Sequence, residues 1–121
     1  MIHAFIKSFR HAIRGMGIAL KSEQSFRLQI AAALLVTIAL FLIPLSRVEQ
    51  GVLLMAISMI LVLELINSTL ERMLDLFKPR LHPYVRDIKD LMAAAVLLAS
   101  IFALVVGILI LGPHAFTFLQ L

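Results

Sequence analysis

Glu64, Asn67, Glu71 and Asp75 stand three, four and four residues apart within LVLELINSTLERMLDLFK, residues 61–78. At about 100° per residue, this spacing puts all four on one narrow stripe of a helix, and Lys78 continues the stripe. Each of the four side chains accepts hydrogen bonds through oxygen. Such donors suit Mg²⁺, a hard octahedral cation that usually leaves positions open for substrate phosphates. Nearby lysine and arginine neutralise phosphate oxygens. A carboxylate set deeper in an apolar zone is placed to take a proton from an alcohol. The stripe is therefore coherent with phosphoryl transfer from a soluble nucleotide to a membrane-embedded alcohol, a reaction carried mostly by positioning and electrostatics. A polar seam that glues helices together is the simpler explanation for Asn67 or Ser68 alone. Four acceptors on one face beside a basic loop favour chemistry, because an ionisable group inside a span is costly.

Composition says what positions that stripe. The chain has 121 residues, room for a single domain over 1–121. It is 62% hydrophobic and 15% charged, with a mean hydropathy of +1.05. An ordinary soluble domain is about 45–50% apolar and about 25% charged, so these values predict an integral membrane protein. The absence of cysteine excludes a disulfide frame and a thiolate metal site. Three apolar stretches stand out, at residues 28–45, 51–63 and 91–111. The second continues through Leu65 and Ile66 if Glu64 is tolerated, which sets the expected spans at 28–45, 51–70 and 91–111. A helix needs roughly 20 apolar residues to cross a hydrocarbon core of about 30 Å. SRVEQ, residues 46–50 after Pro44, suits a tight connection between antiparallel spans. The second helix is expected to run past the hydrocarbon to about Phe77, before Pro79 and Pro83 break it.

Charge sets the expected topology. Lys7, Arg10, Arg14, Lys21 and Arg27 precede the first span, and Arg72, Lys78, Arg80, Arg86 and Lys89 lie between the second and third. Only Arg47 falls on the other side. The positive-inside rule then predicts a cytoplasmic N-terminus and an outside C-terminus. The same distribution accounts for the basic charge balance without nucleic acid, for which no binding motif is present. Residues 2–22 are not a signal peptide, lacking a compact apolar core and a small-residue cleavage site. Ile2, Phe5, Ile6, Phe9, Ile13, Met16 and Leu20 recur at helical steps, with His3, Lys7, Arg10, His11, Arg14 and Lys21 on the other face. That pattern predicts an amphipathic helix lying flat on the membrane surface. Within it, GMGIALKS at 15–22 mimics a phosphate-binding loop. Leu20 stands where the second glycine is required, and no strand precedes it.

ELINSTLERMLD at 64–75, a histidine at 82 and KD at 89–90 resemble the prokaryotic diacylglycerol kinase and undecaprenol kinase family. The shared pattern is E-x-x-N-[ST]-x-x-E-x-x-x-D, a short loop with a histidine, then K-D opening the last span. KSEQSFRLQ at 21–29 resembles the family's E-x-x-[FM]-R segment. The likeness covers about residues 8–111. It implies an all-α trimeric integral-membrane kinase of the bacterial cytoplasmic membrane, with a surface helix, three transmembrane helices and active sites shared between subunits. It implies ATP and Mg²⁺, with Glu64 as general base on the lipid hydroxyl and Glu23 and Glu71 holding the metal. By the same likeness Asn67 orients groups in the site, Lys89 and Asp90 contact the nucleotide, and His82 lies near its adenine or ribose end. Asp75 matches an acidic position of the family, in support or nucleotide contact. KPRL before His82 departs from the acidic residue and tyrosine often found there, which touches the adenine contacts rather than the stripe. Arg72, directly after Glu71, brings bulk and charge into its neighbourhood.

KSFRHAIRGMGIALKSE at 7–23 and LSRVEQ at 45–50 resemble the undecaprenol kinase branch more than the diacylglycerol kinase branch. The expected acceptor is therefore undecaprenol, with diacylglycerol as the alternative. Two readings of other classes make different demands. A proton- or ion-coupled membrane protein would need Glu64 as a relay but not Glu23, Lys89 or Asp90. A structural subunit would need none of them.

Overall fold

The computed structural model describes residues 1–77 and 83–120. Its elements are four helices, α1 (Ile2–Ser22), α2 (Gln24–Leu42), α3 (Arg47–Asp75) and α4 (Pro83–Leu119), with no strand among the described residues. The last three are long and apolar enough to cross a membrane. The protein is thus an all-α integral membrane protein, as its composition predicts. Within hydrocarbon, a helix satisfies its own backbone polar groups, and few other structures can. The hydroxyls inside the spans follow the same rule. Thr37 donates to the Ala33 carbonyl, Ser58 to that of Leu54 and Ser100 to that of Val96, at 2.7–2.8 Å.

Helix α1 leaves Phe5, Ile6, Phe9 and Ile13 largely exposed in the single chain, as an apolar face destined for lipid requires. It ends at Glu23, whose extended backbone (φ −113°, ψ 107°) turns the chain into α2. Arg27 holds this corner. One guanidinium nitrogen donates to the carbonyls of Leu20 and Lys21 at 2.9 and 3.0 Å, capping the last turn of α1. Phe26 is fully buried just beyond the corner, and Ala19 is buried just before it.

Helix α2 starts earlier than the apolar run at 28 and stops at Leu42. Pro44 sets that end. It disfavours helical backbone in the residue before it, and Ile43 is extended (φ −96°, ψ 138°). Most of SRVEQ is not a connection but the first turn of α3. Ser46 and Glu49 form a capping box, the Glu49 N–H donating to Ser46 Oγ at 3.1 Å and the Ser46 N–H to Glu49 Oε2 at 2.8 Å. Helix α4 also outruns the apolar stretch 91–111 at both ends. Pro83 opens it, a position where a missing N–H costs nothing, and Pro113 is taken up inside it.

Helix α3 packs on both α2 and α4, while α1 docks on α2. Helices α3 and α4 run antiparallel and are tied near both ends. Lys89 Nζ lies 3.3 Å from Asp75 Oδ1, and His114 Nε2 lies 3.7 Å from Glu49 Oε2.

Candidate active site

Depth is the first property of the stripe. Helix α3 has 29 residues, or roughly 44 Å at a 1.5 Å rise, against about 30 Å of hydrocarbon. Counted from the capping box, Glu64 lies roughly 27 Å along the helix, close to one edge of the core. Glu71 and Asp75 lie roughly 10 and 16 Å farther along the helix, past the length such a core would cover. One helix thereby carries one carboxylate within the apolar length and others past it.

Burial follows the same gradient. Glu64 is 5% exposed, although it is a carboxylate beside hydrocarbon. Gln29 of α2 meets it, donating from Nε2 to Glu64 Oε2 at 3.3 Å. One turn on, Asn67 Nδ2 donates to Glu71 Oε1 at 3.5 Å, a long contact that aligns an amide with the second carboxylate. Asp75 is exposed and faces Lys89 of α4. The stripe thus joins three helices. It touches α2 at Glu64 and α4 at Asp75, with Asn67 and Glu71 between.

Glu23 lies elsewhere. It is half-buried and lines a cleft of about 440 Å³ between α1 and α3, together with Ser68, Thr69 and Arg72. Glu71 does not line that cleft. Arg72 is a tie rather than an intrusion, since its guanidinium donates to Ser22 Oγ of α1 at 2.6 Å. Ser68 is 6% exposed and its hydroxyl has no partner. In the single chain, then, Glu64 is engaged with Gln29, Asn67 with Glu71, and Lys89 with Asp75. Glu23 stands on the neighbouring face, and Asp90 is exposed on α4. His82 falls outside the described residues, as do Lys78, Arg80 and Leu81.

Among the described residues, no three His, Asp or Glu side chains gather as a metal cage. Glu23 and Glu71 nevertheless offer the right chemistry for Mg²⁺. Both are partly buried hard oxygen donors, and neither is in an ion pair with another described residue. Mg²⁺ commonly takes one or two carboxylates and completes its shell with water and phosphate oxygens.

A second cavity, of about 610 Å³, runs between α2, α3 and α4. Gln29 and Leu61 line it on the side of Glu64, and Leu53, Leu111 and Ala115 line it farther along. Ala33 and other small residues leave the space open, and the lining is almost wholly apolar. An apolar groove thus ends where a buried carboxylate begins.

The sequence pattern of prokaryotic diacylglycerol kinase matches residues 10–111. The chain belongs to this family. It is a membrane-embedded lipid kinase, a phosphotransferase that acts on an alcohol group. The kinase is similar to an undecaprenol kinase of Bacillus subtilis (strain 168), with 35% identity over 93% of this chain and 91% of the relative. It is 35% identical to a diacylglycerol kinase of Synechocystis, over 88% of this chain and 61% of that protein. It is 26% identical to a diacylglycerol kinase of Escherichia coli (strain K12), over 90% of this chain and 89% of the relative.

Gln29 is a partner of Glu64 that the motif does not reveal. It lies outside ELINSTLERMLD, on a different helix. Its one sequence signal is a lone amide near the start of an otherwise apolar run, the kind of side chain that needs a partner in a membrane.

Proposed function

We propose that this lipid kinase transfers the γ-phosphoryl group of ATP, with Mg²⁺, to the hydroxyl of undecaprenol. The observation that carries the chemistry is Glu64, buried beside an apolar groove and one turn from the Asn67–Glu71 pair. The choice of acceptor is supported by likeness to the Bacillus subtilis undecaprenol kinase along nearly the whole of both chains. Diacylglycerol is the second candidate, because the Synechocystis and Escherichia coli relatives carry that name.

Glu64 acts as the general base. The lipid hydroxyl gives its proton to Glu64 as its oxygen forms a bond to the γ-phosphorus, the bond to the bridging oxygen breaks, and ADP leaves. A base must lie within hydrogen-bond reach of the proton it takes, and Glu64 is at the depth where the head of a membrane alcohol sits. Glu23 and Glu71 would hold Mg²⁺, which screens the phosphate charge when bound. Asn67 keeps the Glu71 carboxylate in one orientation. Lys89 binds phosphate oxygens, Asp75 steadies it from α3, Asp90 contacts the nucleotide, and His82 lies near its adenine or ribose end. Glu71 does not line the cleft that holds Glu23, and three copies sharing sites between neighbours would complete the constellation.

Substrate choice is tested by competition. Undecaprenol and diacylglycerol compete in the same mixed micelles for labelled phosphate from Mg²⁺–ATP. The expected result is a higher kcat/KM for undecaprenol, and a ratio favouring diacylglycerol makes the enzyme a diacylglycerol kinase. Apolar clefts discriminate by only about 1–3 kcal/mol per methylene, so the ratio and not mere turnover decides.

The basic flanks favour a cytoplasmic side for α1 and for the stretch between α3 and α4, in a bacterial inner membrane with the C-terminus outside. The chain has no cysteine, so one introduced thiol reports its side unambiguously. A membrane-impermeant maleimide should label Gln120→Cys in intact cells and leave Ser8→Cys unlabelled until lysis. The reverse pattern would invert the topology. Native mass measurement should give three copies of the 13.5 kDa chain, and a monomer as the active form would remove the shared site.

A further inference from the structure

We propose that Gln29 is a positioning residue for the base, a role that rests on Glu64 being the general base. The geometry is specific. Gln29 lines the apolar groove from α2 and donates from Nε2 to Glu64 Oε2 across the helix interface. The other end of the same amide, Oε1, is buried without a partner. Reversing the amide would set its oxygen against a carboxylate oxygen, so Glu64 dictates the orientation that leaves Oε1 unsatisfied. A buried unpaired carbonyl is destabilising. A side chain kept for packing alone would be apolar at this position, as its neighbours in the groove are. The amide is explained by what it does to Glu64. Occupying Oε2 fixes the rotamer of the carboxylate and leaves Glu64 Oε1 as the oxygen that receives the proton.

The inference concerns turnover rather than nucleotide affinity. Gln29→Leu keeps the size and removes the donor. The expected loss in kcat is roughly 10–100-fold, the range for a hydrogen bond to a charged group. KM for ATP and the melting temperature in detergent stay as in the parent. Gln29→His, which restores a neutral N–H donor, recovers most of the loss. A residue that acts only through Glu64 has nothing to act on once Glu64 is gone. Adding Gln29→Leu to Glu64→Gln is therefore expected to cost nothing further, a non-additivity that a purely structural role does not produce.

The outcomes separate cleanly. If Glu64→Gln retains turnover, the base assignment fails and the inference fails with it. If Glu64→Gln is inactive but Gln29→Leu turns over normally, the inference alone is overturned. A lowered melting temperature with no recovery in Gln29→His, or a further full loss in the double variant, makes Gln29 structural and overturns it equally.

Discussion

Glu64→Gln is expected to lower kcat by roughly 10²–10⁴-fold, the range for removing a positioned general base. The substitution is close to isosteric. The amide oxygen at position 64 can still accept from Gln29, so the α2–α3 interface is preserved. Removing a buried charge should leave the fold intact or firmer. KM for ATP should hardly move, because Glu64 lies deeper along α3 than Glu71, the residue proposed to hold the metal. The check is steady-state turnover in mixed micelles, with oligomeric state and melting temperature measured on the same sample. Near-parental turnover would assign the base elsewhere. A relay in a proton-coupled protein would also need Glu64, but it would be indifferent to Glu23, Lys89 and Asp90.

The second large effect belongs to Glu71. Glu71→Gln is expected to cost on the order of 10²-fold at a fixed Mg²⁺ concentration, comparable to losing one preorganised electrostatic group from an active site. It differs in kind from the loss at Glu64. Raising Mg²⁺ should recover part of the activity, because a weakened site fills by mass action. Glu64→Gln should show no such recovery. A Mg²⁺ titration of each variant separates the two roles. If the Glu71 variant shows the parental Mg²⁺ dependence, Glu71 is not a metal ligand.

Periodicity and composition carry most of the fold. The amphipathic face of α1 and the apolar runs of α2 to α4 are one-dimensional signals, readable because a bilayer demands length and apolarity. Helix ends were less legible. Pro44 announces the end of α2, but the capping box that absorbs Ser46 and Glu49 into α3 is easily mistaken for a connection. Polar segments such as Pro83–Asp90 belong to α4 although they lie outside hydrocarbon.

The stripe of α3 was legible because helical spacing alone puts Glu64, Asn67, Glu71 and Asp75 on one face. Contacts between helices were not. No spacing rule pairs Gln29 with Glu64 or Arg72 with Ser22, since those meetings depend on how α1 and α2 turn at Glu23. The division of labour also emerges only in three dimensions. Ser68 and Arg72, interleaved with the stripe in sequence, look toward α1 and share a cleft with Glu23, while Asp75 looks toward α4.

The most direct measurement is transfer of labelled phosphate from Mg²⁺–ATP into the lipid phase. The purified parent protein and its Glu64→Gln variant are compared, each with undecaprenol and with diacylglycerol. The predicted result is a phosphorylated lipid, chiefly undecaprenyl phosphate, formed by the parent and nearly lost in the variant. Folded, trimeric parent protein that labels neither lipid, or a variant that labels them as fast as the parent, would contradict a kinase built on Glu64.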